Sequence, residues 1–265
     1  MEFSKHIISN EESLKTALIR LDKLAYDAIL FAVDENDRIV GSLTDGDIRR
    51  GLVKGITIDQ PVSKVCFKNP RTLSINHIDI NALVKLRESK IGIIPIIDES
   101  NKIVDVINFR LRKSILPVDV VIMAGGKGMR LRPLTEDNPK PLLKIGDKPI
   151  LEHNLRRYEQ FGVKSIYITT NYLAEKIDLF VDSIKNDFRT PINTIKEDTF
   201  LGTIGAVRLV EGITQDYVFI SNSDLLTNLD YEAFFLDFIE HDADMSVVSI
   251  PYRIKRPYAI MDIKE

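Results

Sequence analysis

"DVVIMAGGKGMRLRPLT", Asp119 to Thr135, decides how the second half of the chain folds. Val120 to Met123 read as a short buried strand of the parallel-sheet kind, and the apolar run stops at Gly125, Gly126 and Gly128, with Lys127 and Arg130 beside them. Bare backbone next to cations is a general recipe for an anion cradle, because glycine admits positive φ and unshielded N–H groups approach phosphate oxygens closely. Two familiar versions fail here. A dinucleotide fingerprint wants a third glycine where Leu131 stands, and a P-loop wants Ser or Thr after its Gly-Lys, whereas Lys127 is followed by Gly128.

The remaining composition narrows the setting. The chain has 265 residues, comfortable for two domains, and its net charge of −3 gives no overall pull toward nucleic acid or an anionic membrane. Cys66 is the only cysteine, which excludes an internal disulfide and a multi-cysteine metal site. No apolar run approaches the roughly 18 residues of a membrane span, and the N-terminus lacks the apolar core of a signal peptide, so a cytoplasmic setting is expected.

Up to about Leu116 one unit is written twice. "AILFAVDE" and "DRIVGSLTDGDIRRGL" recur as "IGIIPIIDES" and "NKIVDVINFRLRKS", with Asp34-Glu35 matching Asp98-Glu99 and Ile39-Val40 matching Ile103-Val104 at an offset of 64. Leu14, Leu18, Leu21 and Leu24 form a stripe at helical spacing that predicts a core face, and "DEND" and "DESN" predict polar hairpin turns. Around "GSLTDGDIRR" the unit resembles a CBS domain, and two in tandem resemble a Bateman module, two α+β units packed as a disc. That resemblance implies an adenine nucleotide in a cleft, with Thr44 and Asp47 on the ribose, and a tendency to pair as a homodimer. Simple capping of the helix that begins near Ile48 is the competing account of Thr44, Asp45 and Asp47. The second copy has Asn108 and Leu111 at those places, so one nucleotide site is expected rather than two.

Pro117 punctuates the end of the repeat, giving expected domains at 1–116 and 117–265. "AGGKGMRLRPLT", "NPKPLLKIGDKPILEH", "EDTFLGTIGAVRL" and "YVFISNSDLLTNLD" follow in that order, and together they resemble the sugar-1-phosphate nucleotidylyltransferases, the group that includes mannose-1-phosphate guanylyltransferases. The resemblance implies a Rossmann-like three-layer α/β domain with its ligand beyond the carboxyl ends of the strands. Ala124, Gly125 and Gly126 would floor the nucleotide loop, with Lys127 assisting or only solvating its rim. Arg130 would hold the phosphates that leave as pyrophosphate, and Lys140, between two prolines that direct its segment out of helix, would lie over the phosphates from the opposite side. Glu197 and Gly202 would meet the base. A carboxylate only accepts, which suits guanine's N1–H and amine and favours GTP. Asp224 would ligate Mg²⁺, with Ser223 standing where the family has glycine. Asn171 is expected to cap a helix, as is Asp230.

The implied reaction joins an NTP and a sugar 1-phosphate into a nucleotide sugar and pyrophosphate, with regulation through the repeats. The alternative is a nucleotide-sensing regulatory protein whose transferase half is inactive. "RPYAIMDIKE" reads as a β-hairpin strand from the middle of such a family. A truncated chain or incomplete gene product is therefore expected, weakly active or inactive by itself.

Overall fold

The computed structural model describes residues 2–76 and 78–251, as one compact unit, Met1–Thr227, and a second that begins at Asn228. The strand expected in "RPYAIMDIKE" lies outside the described residues.

The first copy of the repeat contains β1 (Ile7–Ser9), α1 (Leu14–Leu24), β2 (Leu30–Val33), β3 (Ile39–Leu43) and α2 (Asp45–Val53), and the short β4 (Phe67–Lys68) completes its sheet in the order β1-β2-β3-β4. The second contains β5 (Leu73–Ser74), α3 (Ile80–Glu88), β6 (Ile93–Ile97) and β7 (Ile103–Asn108). The two hairpins share one register. Leu30 faces Leu43 as Ile94 faces Ile107, Ala32 faces Gly41 as Ile96 faces Asp105, and each ladder slips at the next step. The turns explain the match. Asp34 Oδ1 accepts from the N–H groups of Asn36 and Arg38, both at 2.9 Å, and Asp98 Oδ1 accepts from those of Ser100 and Lys102 at 2.8 and 2.9 Å. A carboxylate that closes its own turn fixes the loop length, and loop length fixes register. The turns also meet each other: Arg38 bridges antiparallel to its own counterpart Lys102, the pairing a local twofold axis would produce.

The predicted leucine stripe is core. Leu14, Ala17 and Leu21 are buried with Leu30, Leu43 and Ile48, and Leu18 and Leu24 pack against that cluster. The second copy departs after β7. Leu111 has no carboxylate to close a capping box of the kind Asp47 supplies, and among the described residues the chain passes through turns, with no helix, before the next strand.

The second half is a parallel sheet. β8 (Val118–Met123) is followed by a small antiparallel pair, β9 (Lys144–Ile145) and β10 (Lys148–Pro149), then α4 (Ile150–Gln160), β11 (Ser165–Thr170), α5 (Ala174–Ile184), β12 (Ile192–Lys196) and β13 (Tyr217–Asn222). The order β12-β11-β8-β13 has every pair parallel. Val118, Val120, Val121 and Ile122 are fully buried, which is why β8 reads as a continuous apolar run. The chain steps outward from β8 to β11 and β12, then crosses back to β13 on the other side of β8. The loops after β8 and β13 therefore diverge, which opens a crevice at the carboxyl ends of the strands.

The link between repeat and sheet is hydrogen-bonded. Lys113 N–H donates to the Gln160 carbonyl at 2.6 Å and Leu116 N–H to the Phe161 carbonyl at 3.1 Å. Gly162 turns beneath them at φ +65, and a Cβ there would strike the Ser114 carbonyl. Pro117, where a boundary was expected, lies inside the first compact unit, Met1–Thr227. In the second unit, α6 (Tyr231–Glu240) is capped by Asp230, which accepts from the N–H groups of Glu232 and Ala233 at 3.0 and 3.1 Å, as its sequence predicted.

Candidate functional site

The loop after β8 is held at three points. Ala124 N–H donates to the Thr169 carbonyl at 2.8 Å, which ties the first loop residue to β11. Gly125 lies against Glu197, where a Cβ would sit 2.5 Å from Oε1 and 3.3 Å from Asn171 Cβ. Gly128 takes φ 61 and ψ 27, and the fully buried Thr135 clamps it by donating from Oγ1 to its carbonyl at 2.8 Å. A short 3-10 turn, Met129–Leu131, then carries the exposed Arg130.

Lys140 opens a second 3-10 turn, Lys140–Leu142. The flanking prolines were expected to keep this segment out of helix. Instead Pro139 precedes the turn and Pro141 lies inside its first residues, where a fixed φ fits and a missing N–H costs nothing. Lys140 Nζ pairs with Asp224 Oδ2, and the two side chains are 35% and 29% exposed. Asp224 follows β13 in a turn that α4 secures: the buried Asn154 donates from Nδ2 to the Ser223 carbonyl at 3.1 Å.

Glu197 follows β12. Its N–H donates to the Thr170 carbonyl at 2.7 Å, and its buried carboxylate accepts from Leu201 N–H at 3.2 Å. Asn171 does not cap α5 as expected. That helix is entered through Leu173 in the left-handed conformation without a side-chain cap, while Asn171 Nδ2 donates to the Glu197 carbonyl at 3.0 Å. The loop after β11 is thus fastened to the acid that it lies beside.

These segments enclose a crevice of about 390 Å³. Every residue expected at the nucleotide site lines it except Lys127, which is exposed and not part of the lining. Its lining brings two cations, Arg130 and Lys140, together with two carboxylates, Glu197 and Asp224, and includes Phe200, 63% exposed, which lies between Glu197 and Gly202 in the sequence. Sequence reasoning gave no role to Thr135, Asn154 or Phe200. Thr135 was at least inside the quoted motif, while a single asparagine on a helix carries no signal of what it will hold. Among the described residues no group of three or more His, Cys, Asp and Glu side chains could hold a metal ion.

Thr44 and Asp47 lie far from this crevice in sequence and are engaged with each other. Asp47 Oδ2 accepts from Thr44 N–H at 2.8 Å and from Thr44 Oγ1 at 2.6 Å, and Arg50 pairs with Oδ1 at 2.5 Å. Together they form a capping box at the start of α2.

Comparison with known proteins places both halves. A family profile described as nucleotidyl transferase matches residues 119–263, and one described as CBS domain matches residues 6–54. The chain is 38% identical over 117 residues to the bifunctional protein GlmU of Methanocaldococcus jannaschii, covering 44% of this chain and 27% of that protein. It is 30% identical over 115 residues to mannose-1-phosphate guanyltransferase of Debaryomyces hansenii, covering 42% of this chain and 32% of that one. Among solved structures it is similar to HddC from Yersinia pseudotuberculosis, at 34% identity and TM-score 0.41, over 46% of this chain and 54% of that one. The chain spans about a third or less of the length of these two curated relatives. Among the described residues no helix is long and apolar enough to cross a membrane.

Proposed function

This chain belongs to the nucleotidyl transferase family, with a CBS domain at its N-terminus, and on that premise we propose that it serves the transfer of a nucleotidyl group from an NTP, GTP by preference, to a sugar 1-phosphate. One observation carries the reading: Arg130, Lys140 and Asp224, remote in sequence, line one crevice with a glycine loop at the carboxyl ends of β8 and β13. In the reaction an oxygen of the sugar phosphate attacks the α-phosphorus of the NTP. The bond from that phosphorus to the bridging oxygen breaks, and pyrophosphate leaves with the electron pair. The nucleophile is already an anion near neutral pH, so no general base is required, and the work is positioning and charge neutralisation.

Each residue has a part in that work. Backbone N–H groups of Gly125 and Gly126 face the phosphates, and Arg130 binds the departing β,γ end with its planar fork. Lys140 supplies a point charge at the α-phosphate and leaves its pairing with Asp224 to do so. Glu197 accepts from guanine's N1–H and amine, Gly202 leaves room for the base, and Phe200 offers it a stacking face. The relative named for guanyl transfer supports GTP. Lys127 solvates the rim.

Asp224 fits a magnesium ion. Mg²⁺ uses one or two protein carboxylates and takes its remaining ligands from phosphates and water, and Asp224 is a partly exposed carboxylate in this crevice. When bound, the ion would neutralise charge on the two anionic substrates. In the same reading an adenine nucleotide at the first repeat, reached when Thr44 and Asp47 release each other, tunes the transferase, and the repeats join two chains as a homodimer.

Pyrophosphate release measured with GTP, CTP, UTP, dTTP and ATP against a panel of sugar 1-phosphates tests the reading. GTP-dependent release that vanishes in Arg130→Ala supports it. Absence of release with every pair overturns it.

A further inference from the structure

Arg130 and Lys140 stand near the two ends of one connection, residues 129–140, that is exposed over most of its length. Between Met129 and Asn138 only Thr135 is buried. Inside this loop Leu131 N–H donates to the Gly128 carbonyl at 2.9 Å, Leu134 N–H to that of Leu131 at 3.0 Å, and Glu136 N–H to that of Pro133 at 3.1 Å. Bonds of so short a span shape a loop without fixing where it stands against the sheet.

Its place is set from the connection between β11 and α5. The half-buried Tyr172 donates its hydroxyl to the Glu136 carbonyl at 2.8 Å and shares it with the Thr135 carbonyl at 3.2 Å. Lys176 Nζ donates to the Asp137 carbonyl. Three consecutive carbonyls of the loop are thus met by two side chains from one neighbouring segment. Leu173, between those two residues, takes φ 51 and ψ 38, a conformation rare for a bulky side chain. Such a conformation persists where the surroundings fix it, and the anchored side chains before and after Leu173 supply that constraint. From Thr135 the constraint passes toward the crevice. Its Oγ1 holds the Gly128 carbonyl, and its Cγ2 would lie 3.0 Å from a Cβ at Gly128, two residues before Arg130.

We infer that Tyr172 is a positioning residue for Arg130. Its hydroxyl, assisted by Lys176, holds residues 135–137 in place, and through Thr135 and Gly128 this sets where the Arg130 guanidinium stands. Tyr172 is not among the residues that line the crevice, so it acts on the ligand only through the loop. The inference rests on the nucleotide reading of the crevice and adds to it a group that the motifs left without a role. Its neighbour Asn171 holds Glu197, so two adjacent side chains fasten the segment that carries the phosphate-binding cation and the one that carries the base-reading acid. A displacement of about 1 Å in such a group is enough to impair catalysis strongly, which gives a remote hydroxyl its leverage.

The test is Tyr172→Phe in the full chain, which removes one hydroxyl and keeps the ring. Amide deuterium exchange is followed across residues 129–138, and the affinities of GTP and GMP are measured by competition against a fluorescent GTP analogue. Exchange in the loop should quicken severalfold while α4 and β11 keep the parent's rates. The affinity for GTP should fall about fivefold, the usual worth of one hydrogen bond, with that for GMP unchanged, because GMP lacks the phosphates that Arg130 holds. Lys176→Met should shift exchange and GTP affinity in the same direction. A hydroxyl that merely stabilised the fold would weaken both nucleotides alike. Loop exchange that stays at the parent's rate, unchanged GTP affinity, or equal losses for GTP and GMP each overturn the positioning role. A parent chain that binds GTP no better than GMP overturns the reading of Arg130 before Tyr172 is touched, and this role with it, so the two failures are told apart.

Discussion

Two polar steps follow strands in this protein, and they differ in who satisfies them. At Thr44 and Asp47 the hydroxyl, the carboxylate and the neighbouring Arg50 complete one another within the first two turns of one helix. At the crevice, Lys140 and Asp224 meet across 84 residues of chain, and only because β13 crosses back beside β8. Local structure fully accounts for the first arrangement. No helix end or turn requires the second, and its charges line a crevice of about 390 Å³. The lesson concerns inference from motifs. A polar group that its own helix can use is weak evidence for a ligand, whereas charges assembled by topology at a strand switch point are strong evidence.

The sharpest way to break that contrast is to remove the assembled charges. Arg130→Ala and Asp224→Asn should each lower nucleotidyl transfer by about 10²–10³-fold or more, because in the proposed reaction each group would act on charge that develops in the transition state. Neither should move the thermal midpoint by more than a degree or two, since both side chains are substantially exposed. A variant that melts early while keeping its activity would show that these residues hold the fold. Gly125→Ala comes next. Its new Cβ would lie 2.5 Å from Glu197 Oε1, and overpacking of this kind costs about 1–3 kcal/mol. The melting temperature should fall by several degrees and GTP affinity should fall with it. Glu197→Ala in the same chain should recover the stability but not the preference for GTP over UTP. Stability that stays low in the double variant means that Glu197 is not the obstacle.

On the other side of the contrast, Asp47→Ala should cost about 1 kcal/mol in urea unfolding with no nucleotide present, the usual worth of a cap. The effect should be smaller if a nucleotide site, rather than the helix end, is what Asp47 serves. Leu111→Asp supplies the second copy with the missing acid and tests the converse. If the capping box is what builds a helix at this step, helical content should rise slightly by circular dichroism.

How much of this was legible beforehand follows the same division. The repeat, its register and its leucine core were readable because periodicity and turn chemistry are local. Leu14, Leu18 and Leu21 recur at helical spacing, and Asp34 and Asp98 close equivalent turns. The crevice residues were readable from the order of four motifs. What escaped was support supplied across the fold. Asn154 holds the Ser223 carbonyl from 69 residues away, Asn171 holds Glu197 where a cap was expected, and the turn at Lys140 accommodates prolines that were taken to exclude it. Each depends on which carbonyl the tertiary structure leaves within reach, and nothing in the local sequence encodes that.

The smallest predicted effect concerns pH and the junction of the repeats. His6 is buried, its Nδ1 lies 2.9 Å from the Ile29 carbonyl, and burial, assisted by Lys5, lowers its pKa below 6.5 despite the opposing influence of that hydrogen bond and of Asp27. The unfolded chain therefore takes up this proton at a higher pH than the folded chain does. Between the two pKa values the unfolded state binds more protons, so stability rises with pH, by at most about 1.4 kcal/mol per pH unit for one site. The contribution of neutral His6 is complete above pH 6.5 and is lost as pH falls through the depressed folded value. Urea unfolding of His6→Gln between pH 7.5 and 5.5 should show a flatter dependence than the parent, whatever its absolute stability. Parallel curves would mean that His6 titrates alike in both states.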